Sequence, residues 1–247
     1  MTSPSEKWTE IELLPEWGED FYDVYTAKKF GKWVMLKTLK PELRDVAEYQ
    51  AMLNREFEVR YNLAHAHIIM INDLEEVPGL GLCIITDDVY GDSLEKLIKQ
   101  HKVTPDIINK IVRCLPDAIE YIQTNHIVHH PIKTSSVIFT ENIRNLKLID
   151  VGFDQKNVLE PADATEDIRN FGKVLLEALD ASDEPNPRLR AVAERCVGSN
   201  PYHTVQQLQM ALYGGSTSRL YIAIIIFLII MIGILSIIIM RIKPITT

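Results

Sequence analysis

The chain has 247 residues, and its 34 acidic against 26 basic side chains give a formal net charge of −8. The charges are mixed along the sequence without a block of one sign, which argues against a nucleic acid as partner. The three cysteines are scattered and form no Cys-x-x-Cys pair, so we expect neither a structural zinc site nor a disulfide framework.

The first third of the chain is predicted to be rich in β-structure. Two runs of β-branched and aromatic residues flank the turn-forming stretch Lys28–Gly31 and predict a hairpin. Apolar residues at helical spacing then predict a helix within 41–63. Two shorter apolar runs follow, separated by Pro78 and Gly79. Strands are therefore expected within 10–40, at 22–27 and 33–37, and the two shorter apolar runs lie at 68–71 and 82–85.

From residue 93 onward the pattern is mainly helical. Thr104-Pro105-Asp106 is typical of a helix start, because threonine is a good N-cap and proline is tolerated at the first helical position. A sequence with strands first and helices afterwards implies an α+β architecture. Helices are expected at 104–125, 167–179, 188–197 and 204–212, and short strands at 137–139 and 146–149.

An unbroken apolar run without charge covers residues 220–240. At about 1.5 Å per residue, a helix of this length spans roughly 30 Å, the thickness of a bilayer core. The alternative is a buried core helix, but such helices are rarely so long and apolar on every face. We therefore expect one C-terminal transmembrane helix in the lipid bilayer, after a linker at 214–219 and before a tail at 241–247.

The expected orientation places the large N-terminal part in the cytosol and the tail across the membrane. The opening residues, MTSPSEKWTEIELL, contain no apolar core of a signal peptide. A domain of this size would then fold before the apolar run is made. The basic residues Arg241 and Lys243 oppose this orientation mildly, because basic residues favour the cytosolic side.

Two segments in the second half resemble the catalytic loop and the metal-binding loop of protein kinases. The family patterns read H-R-D-x-x-x-x-N and D-F-G. The matching stretches here are 129–136, HHPIKTSS, and 150–152, DVG. The resemblance implies a bilobal protein-kinase-like fold, with a β-rich N-lobe at 10–88 behind a tail at 1–9, and a helical C-lobe at 89–213.

Further stretches follow the same family in the same order. VMLK, ending at Lys37, resembles the V-A-I-K strand, whose lysine pairs with nucleotide phosphates and with a glutamate on the next helix. Glu56 is the implied partner; the alternative, Glu58, would point about 200° away on a helix. Thr86 matches the gatekeeper. Asp167 opens DIRNFG, which resembles the D-V-W-S-x-G helix, and its implied role is structural, accepting hydrogen bonds from the catalytic-loop backbone.

The chain departs from the family at the positions that carry chemistry. Pro131 stands at the position of the catalytic base, and proline has no group that could take a proton. Ser136 stands at the second metal-ligand position, while Lys133 is retained as in the serine/threonine branch. Asp150 has two open interpretations, a metal ligand or a cap of the following turn. The histidines at 129–130 offer an alternative base.

The loop that would hold phosphates also departs from its glycine-rich pattern. In residues 17–24 only Gly18 is a glycine, so backbone N–H groups cannot approach a phosphate closely. Glu19, Asp20 and Asp23 add charge of the same sign as the phosphates. At ~4 Å and an effective dielectric near 20, each such pair costs about 4 kcal/mol before screening. We therefore expect ATP and Mg²⁺ to bind weakly or not at all.

Together these features predict a membrane-anchored pseudokinase, a protein-binding, scaffolding or regulatory module in a membrane-associated assembly. Its partners would be proteins at the membrane. The alternative is a divergent, active serine/threonine-type kinase that transfers phosphate from ATP. Losing a general base costs about 10²–10⁴-fold in rate, which is not fatal alone. The residues that would support this alternative are Lys37, Glu56, Lys133 and Asp150.

Overall fold

The computed structural model describes residues 7–18, 20–127, 131–141, 145–149, 159–213 and 224–232. Two units are distinguished, Met1–Val205 and Gln206–Thr247, and each is described by itself. In the first unit a five-stranded antiparallel sheet precedes a helical region that carries a smaller sheet. The α+β arrangement of a β-rich small lobe and a helical large lobe is thereby confirmed.

The described residues contain eight strands and five principal helices. The strands are β1 (Trp8–Leu13), β2 (Tyr22–Lys29), β3 (Lys32–Leu39), β4 (Ile71–Val77), β5 (Gly81–Asp87), β6 (Gly91–Ser93), β7 (Val137–Thr140) and β8 (Leu146–Leu148). The helices are α1 (Ala47–Arg60), α2 (Leu94–Lys99), α3 (Pro105–Thr124), α4 (Pro161–Asp180) and α5 (Pro187–Val197). Short 3₁₀ turns lie at Pro15–Trp17, Pro41–Leu43 and Thr134–Ser136, and further helical segments cover 205–213 and 224–232.

The predicted hairpin is formed by β2 and β3, which pair from Tyr22 opposite Leu39 to Lys29 opposite Lys32. Only Phe30 and Gly31 remain in the turn, and both have positive φ, 49° and 82°. Two left-handed residues make a tight turn whose twist matches that of the strands. This hairpin fixes the register that places Lys37 opposite Val24.

The apolar run at 68–71 lies mostly ahead of a strand, since β4 begins only at Ile71. Its polar sequence, INDLEEV, hid the strand, but ion pairs compensate the carboxylates: Lys29 Nζ lies 2.6 Å from Glu75. The apolar residues just before β4 make contacts between the two lobes. The Ile69 N–H donates to the Leu148 carbonyl at 3.0 Å, so this stretch joins the small lobe to the large lobe.

The large lobe is built around apolar helix faces. α3 begins where predicted, with the Thr104 hydroxyl accepting from the Ile107 N–H, and it continues through Pro116. α4 starts at Pro161, six residues before the predicted start, because Glu160 and Asp163 cap each other's backbone there. Gly172 on α4 packs against α5 so closely that an added Cβ would lie 2.5 Å from the Cys196 Cβ.

The three cysteines are free thiols with different exposure. Cys83 on β5 and Cys196 on α5 are fully buried, and burial raises their pKa to about 11 and about 12. Cys114 on α3 is partly exposed; burial raises its pKa as well, opposed by the nearby Arg113.

Within the apolar run 220–240, the described residues 224–232 are helical and every side chain is exposed. The remaining residues of the run, and the linker and tail beside it, lie outside the described residues. Over the described part of the chain, no helix is long and apolar enough to cross a membrane.

Candidate functional site

An ion pair joins the small sheet to helix α1. The β2–β3 register points Lys37 toward the helix, where its Nζ lies 3.4 Å from Glu56 Oε1. Glu56 is 1% exposed, whereas the alternative, Glu58, is on the exposed face of α1. A carboxylate this deeply buried requires compensating charge. Of the two glutamates, Glu56 is therefore the one that pairs with Lys37.

Arg60 is a second cation on the same carboxylate, and the sequence analysis did not single it out. It lies one turn after Glu56, is 5% exposed, and pairs with Glu56 Oε1. Arg60 Nε and Glu56 Oε2 are buried without a hydrogen-bond partner. The i,i+4 spacing of the two residues was the available signal.

The ring of Tyr22 lies against the ammonium group of Lys37. Its ring centroid lies 4.3 Å from Lys37 Nζ, within the range of a cation–π contact. The ring itself is 3% exposed. The lysine is therefore held by a carboxylate and an aromatic face of the protein itself.

Between the lobes lies a small cavity of about 60 Å³, which we call the inner cavity. Pockets that hold drug-sized ligands usually measure about 300–1,000 Å³, so this one is several times too small for a nucleotide. Its apolar wall includes Trp17, Val24, Met35, Ile69 and Ile149, and the polar side chains that line it among the described residues are Lys37, Arg60 and Thr86. The Thr86 hydroxyl donates to the Asp87 carbonyl at 3.2 Å.

A larger space of about 580 Å³, the outer cleft, opens beside the inner cavity. Trp17, Asp20 and Phe21 line it from the small lobe, and Pro131 and Lys133 line it from the large lobe. Lys133 and Pro131 are exposed there. The base position thus faces solvent with a side chain that has no proton-accepting group.

Ser136 uses its hydroxyl within its own turn. The hydroxyl accepts from the Lys133 N–H at 3.1 Å and donates to the Lys133 carbonyl at 2.9 Å. Ser136 is buried, and the two bonds close the 3₁₀ turn that leads into β7. A hydroxyl in this arrangement is already committed to main-chain partners and is a poor metal ligand.

Asp167 is buried on α4 and accepts a hydrogen bond from Gln123 Nε2 on α3 at 2.8 Å. This contact ties two helices of the large lobe together. His129 and His130 lie outside the described residues, so the hydrogen bonds expected from the catalytic-loop backbone to Asp167 remain a prediction. Asp150 and Glu19 lie outside them too.

A separate cluster of titratable groups connects the small lobe to α3. His65 Nε2 lies 3.2 Å from Asp117 Oδ2, and the ring stacks on Tyr121 with centroids 4.8 Å apart. Burial lowers the pKa of His65, and the Asp117 carboxylate opposes this shift. Across the described residues, no group of three or more His, Cys, Asp or Glu side chains could hold a metal ion.

Comparison with known protein families matches residues 20–167 to the protein kinase domain. A probable serine/threonine-protein kinase of Dictyostelium discoideum is 25% identical over 68% of this chain and 47% of its own length. PknD, a serine/threonine-protein kinase of Mycobacterium tuberculosis, is 30% identical over 48% of this chain and 18% of its own length. The chain spans less than half the length of these two relatives.

Among solved structures, a doubly mutated form of the kinase domain of Mycobacterium tuberculosis PknI superposes with a TM-score of 0.63. The alignment covers 83% of this chain and 94% of that domain, at 21% sequence identity. At this identity the similarity concerns the fold, namely a sheet-containing small lobe followed by a helical large lobe.

Proposed function

This chain belongs to the protein kinase domain family, and we propose that within it the protein is a pseudokinase. Its two lobes would serve as a binding, scaffolding or regulatory module for protein partners at a membrane, without transferring phosphate. The proposal concerns activity and partners, since the family match fixes only the domain type.

The observation that carries the proposal is the inner cavity of about 60 Å³ at the point where the lobes meet. Side chains of the protein itself fill the space around Lys37, and Tyr22 covers the lysine. The inner cavity by itself is smaller than the pockets that usually hold drug-sized ligands. Pro131 at the base position and the committed hydroxyl of Ser136 support the same conclusion.

One observation favours the second candidate function, an active serine/threonine-type kinase. Lys37 and Glu56 are paired across the lobe at 3.4 Å, which is the ion pair that active members of the family use to position nucleotide phosphates. The curated relatives named above are described as serine/threonine-protein kinases. In this chain, however, Arg60 shares the same carboxylate, so the pair also has a purely structural explanation.

The membrane part of the proposal rests on the apolar run. Residues 224–232 form a helical segment in which every side chain is apolar and exposed. Exposed apolar area costs about 25 cal/mol per Å² in water, so such a surface is stable against lipid or another apolar surface. We propose that the lipid bilayer covers it and that the kinase-like domain lies on the cytosolic face.

Phosphoryl transfer decides between the two candidate functions. The full chain, purified in detergent, is incubated with radiolabelled ATP and Mg²⁺ or Mn²⁺, alone and with generic protein substrates. The proposal expects no labelled product above that of a Lys37→Ala variant. Labelling that disappears in both Lys37→Ala and Asp150→Ala variants would establish the active kinase instead.

The cytosolic placement is tested separately by protease protection. Intact cells that express the full chain are treated with external protease, and lysed cells serve as the positive control. We expect the domain ahead of residue 219 to be digested only after lysis. Digestion of the domain on intact cells would reverse the proposed orientation.

A further inference from the structure

A further cavity of about 310 Å³, which we call the side cavity, borders the segment that connects the two lobes. Trp33 lines it from β3, Asp88 from the connecting segment and Lys147 from β8. Among the described residues it shares only Ile69 with the inner cavity and none with the outer cleft. The side cavity is therefore a separate space, and its volume is at the lower end of the range for pockets that hold small ligands.

Asp88 brings a charge into this cavity that the fold does not use. The neighbouring Asp87 accepts a hydrogen bond from Asn72 Nδ2 at 2.9 Å and lies 3.6 Å from Lys32 Nζ. Asp88, in contrast, has no hydrogen bond or ion pair with another described residue through its carboxylate. Burial alone raises the pKa of this carboxyl. A carboxylate that has lost water without gaining a counter-charge favours a cationic ligand.

Two lysines in the wall of the side cavity do not supply that counter-charge. The side chain of Lys32 is 75% exposed and lies beside Asp87, and Lys147 Nζ lies 3.5 Å from the Ile68 carbonyl oxygen. Since the two lysines balance the two aspartates in net charge, long-range attraction of a cation is small. A ligand must therefore gain its affinity from direct contact with Asp88.

Trp33 gives the side cavity an aromatic wall. It pairs with Lys28 across the hairpin, and Lys28 Nζ lies 4.6 Å from the ring centroid, so the indole already makes one cation–π contact. Met70, which is 41% exposed, adds a flexible apolar surface to the same wall. A guanidinium group suits these surroundings, because it is planar, stacks on aromatic rings and donates two parallel hydrogen bonds to a carboxylate.

We propose that the side cavity binds the guanidinium group of an arginine on a protein partner, with Asp88 as the hydrogen-bond acceptor and Trp33 as the stacking surface. A lysine of the partner would fit less well, because its ammonium group is a compact charge without a flat face. This inference rests on the proposed function, since it names the chemistry by which a protein-binding module recognises its partner. It requires no opening of the inner cavity.

The test compares two small probes of nearly equal shape. N-acetylarginine amide and its uncharged counterpart, N-acetylcitrulline amide, are titrated against the full chain in detergent, and saturation-transfer NMR follows binding. We expect the arginine probe to bind at least about tenfold more tightly, because only its charge pairs with Asp88. Equal affinity of the two probes would overturn the proposal. This comparison needs no variant, so it does not depend on whether a mutated protein folds.

A pair of variants then locates the contact. Asp88→Asn keeps the shape of the side chain but removes its charge, so it should abolish the preference for the arginine probe. Asp92→Asn is the matched control: it changes the net charge equally, at a residue that does not line the side cavity, and should keep the preference. An equal loss in both variants would refute a specific site.

The phosphoryl-transfer assay separates this inference from the proposed function. An inert protein that binds both probes equally loses the arginine site alone. Labelling that depends on Lys37 refutes the proposed function, even where the arginine probe binds through Asp88.

Discussion

At the scale of single residues, the buried charges around Glu56 determine how α1 is held. Over its whole length α1 buries only Leu53, Glu56 and Arg60. Two of these three side chains are charged, so the helix docks on the sheet through ion pairs as well as through the apolar contacts of Leu53, Tyr49 and Phe57. Burial removes the hydrating water from each of these charges. A buried carboxylate between two cations therefore stabilises the fold only while all its partners are present.

Replacing Glu56 should therefore destabilise the protein more than replacing Lys37. Glu56→Gln removes the carboxylate that both cations share, and we expect a loss on the order of 3–5 kcal/mol. Lys37→Met leaves the pair between Arg60 and Glu56 intact, so the loss should be smaller. Urea unfolding of the full chain in detergent measures both. A larger loss in Lys37→Met would show that Arg60 does not hold the carboxylate.

His65 gives the fold a dependence on pH with a defined sign. Burial lowers its pKa in the folded state, so the folded protein prefers the neutral ring. The stability that this provides is complete above the unfolded pKa of about 6.5 and is lost as the pH falls toward the folded pKa.

We expect the unfolding free energy to decrease between pH about 7.5 and about 6, and His65→Gln to make this decrease shallower, because glutamine does not titrate. Urea unfolding at several pH values measures the slope. The exposed His203 provides the control variant, His203→Gln, which should retain the slope of the unmodified protein. A steeper slope in His65→Gln would mean that Asp117, rather than burial, dominates the titration.

At the scale of elements, the large lobe depends on close contact between α4 and α5. Gly172 allows it, since an added Cβ would come within 2.5 Å of the Cys196 Cβ and 3.0 Å of the Ala193 carbonyl oxygen. Backbone and Cβ atoms cannot rotate away as a long side chain could. The two helices would have to separate to admit one methyl group.

Gly172→Ala should thus lower the melting temperature, although alanine is the better helix former by about 1 kcal/mol. Overpacking of a core costs about 1–3 kcal/mol, and each kcal/mol corresponds to about 2–4 °C for a domain of this size. Circular dichroism of the full chain in detergent follows the transition. Gly18→Ala is the comparison, because its Cβ would meet atoms no closer than 3.5 Å. An unchanged melting temperature in Gly172→Ala would contradict the packing argument.

At the scale of the whole molecule, the surface charge and the apolar run favour different environments, water and an apolar phase. The chain carries a net charge of −8, which suits water, whereas residues 224–232 present apolar side chains on every side. We expect a single chain to satisfy both at a boundary between water and lipid. The transmembrane helix predicted at 220–240 remains a prediction, because the structure describes only residues 224–232 of it.

Two arginines at Ile230 and Met231 should weaken membrane association of the full chain. A charge at the bilayer centre costs about 2.5–3.5 kcal/mol on insertion scales, so the pair should move much of the protein into the soluble fraction. The matched control, Ile230→Val with Met231→Leu, keeps the run apolar and should remain in the membrane fraction. Carbonate extraction followed by centrifugation measures the partition. Full retention of the arginine variant in the membrane would exclude this segment as the anchor.

Features set by local sequence could be predicted, and those set by distant contacts could not. The β2–β3 hairpin was predictable because Gly31 favours a tight turn between two runs of β-branched and aromatic residues. β4 was not predicted, because its carboxylates become acceptable in a strand only when Lys29 pairs with them. Trp17 gave no signal, since its place in the cleft depends on Ile138, far along the chain. Arg60 did give a signal in the sequence, because it lies four residues after Glu56 and therefore on the same face of the helix.

The unequal burial of the three thiols has a practical consequence for spectroscopy. Cys83 and Cys196, with pKa values of about 11 and about 12, hold almost no thiolate at neutral pH and are sealed from reagents. Cys114 alone among them reaches the surface, and it lies on helix α3. A maleimide dye or spin label should therefore attach at one place without any engineering. That single probe would report distances from the large lobe to a lipid surface or to a bound partner.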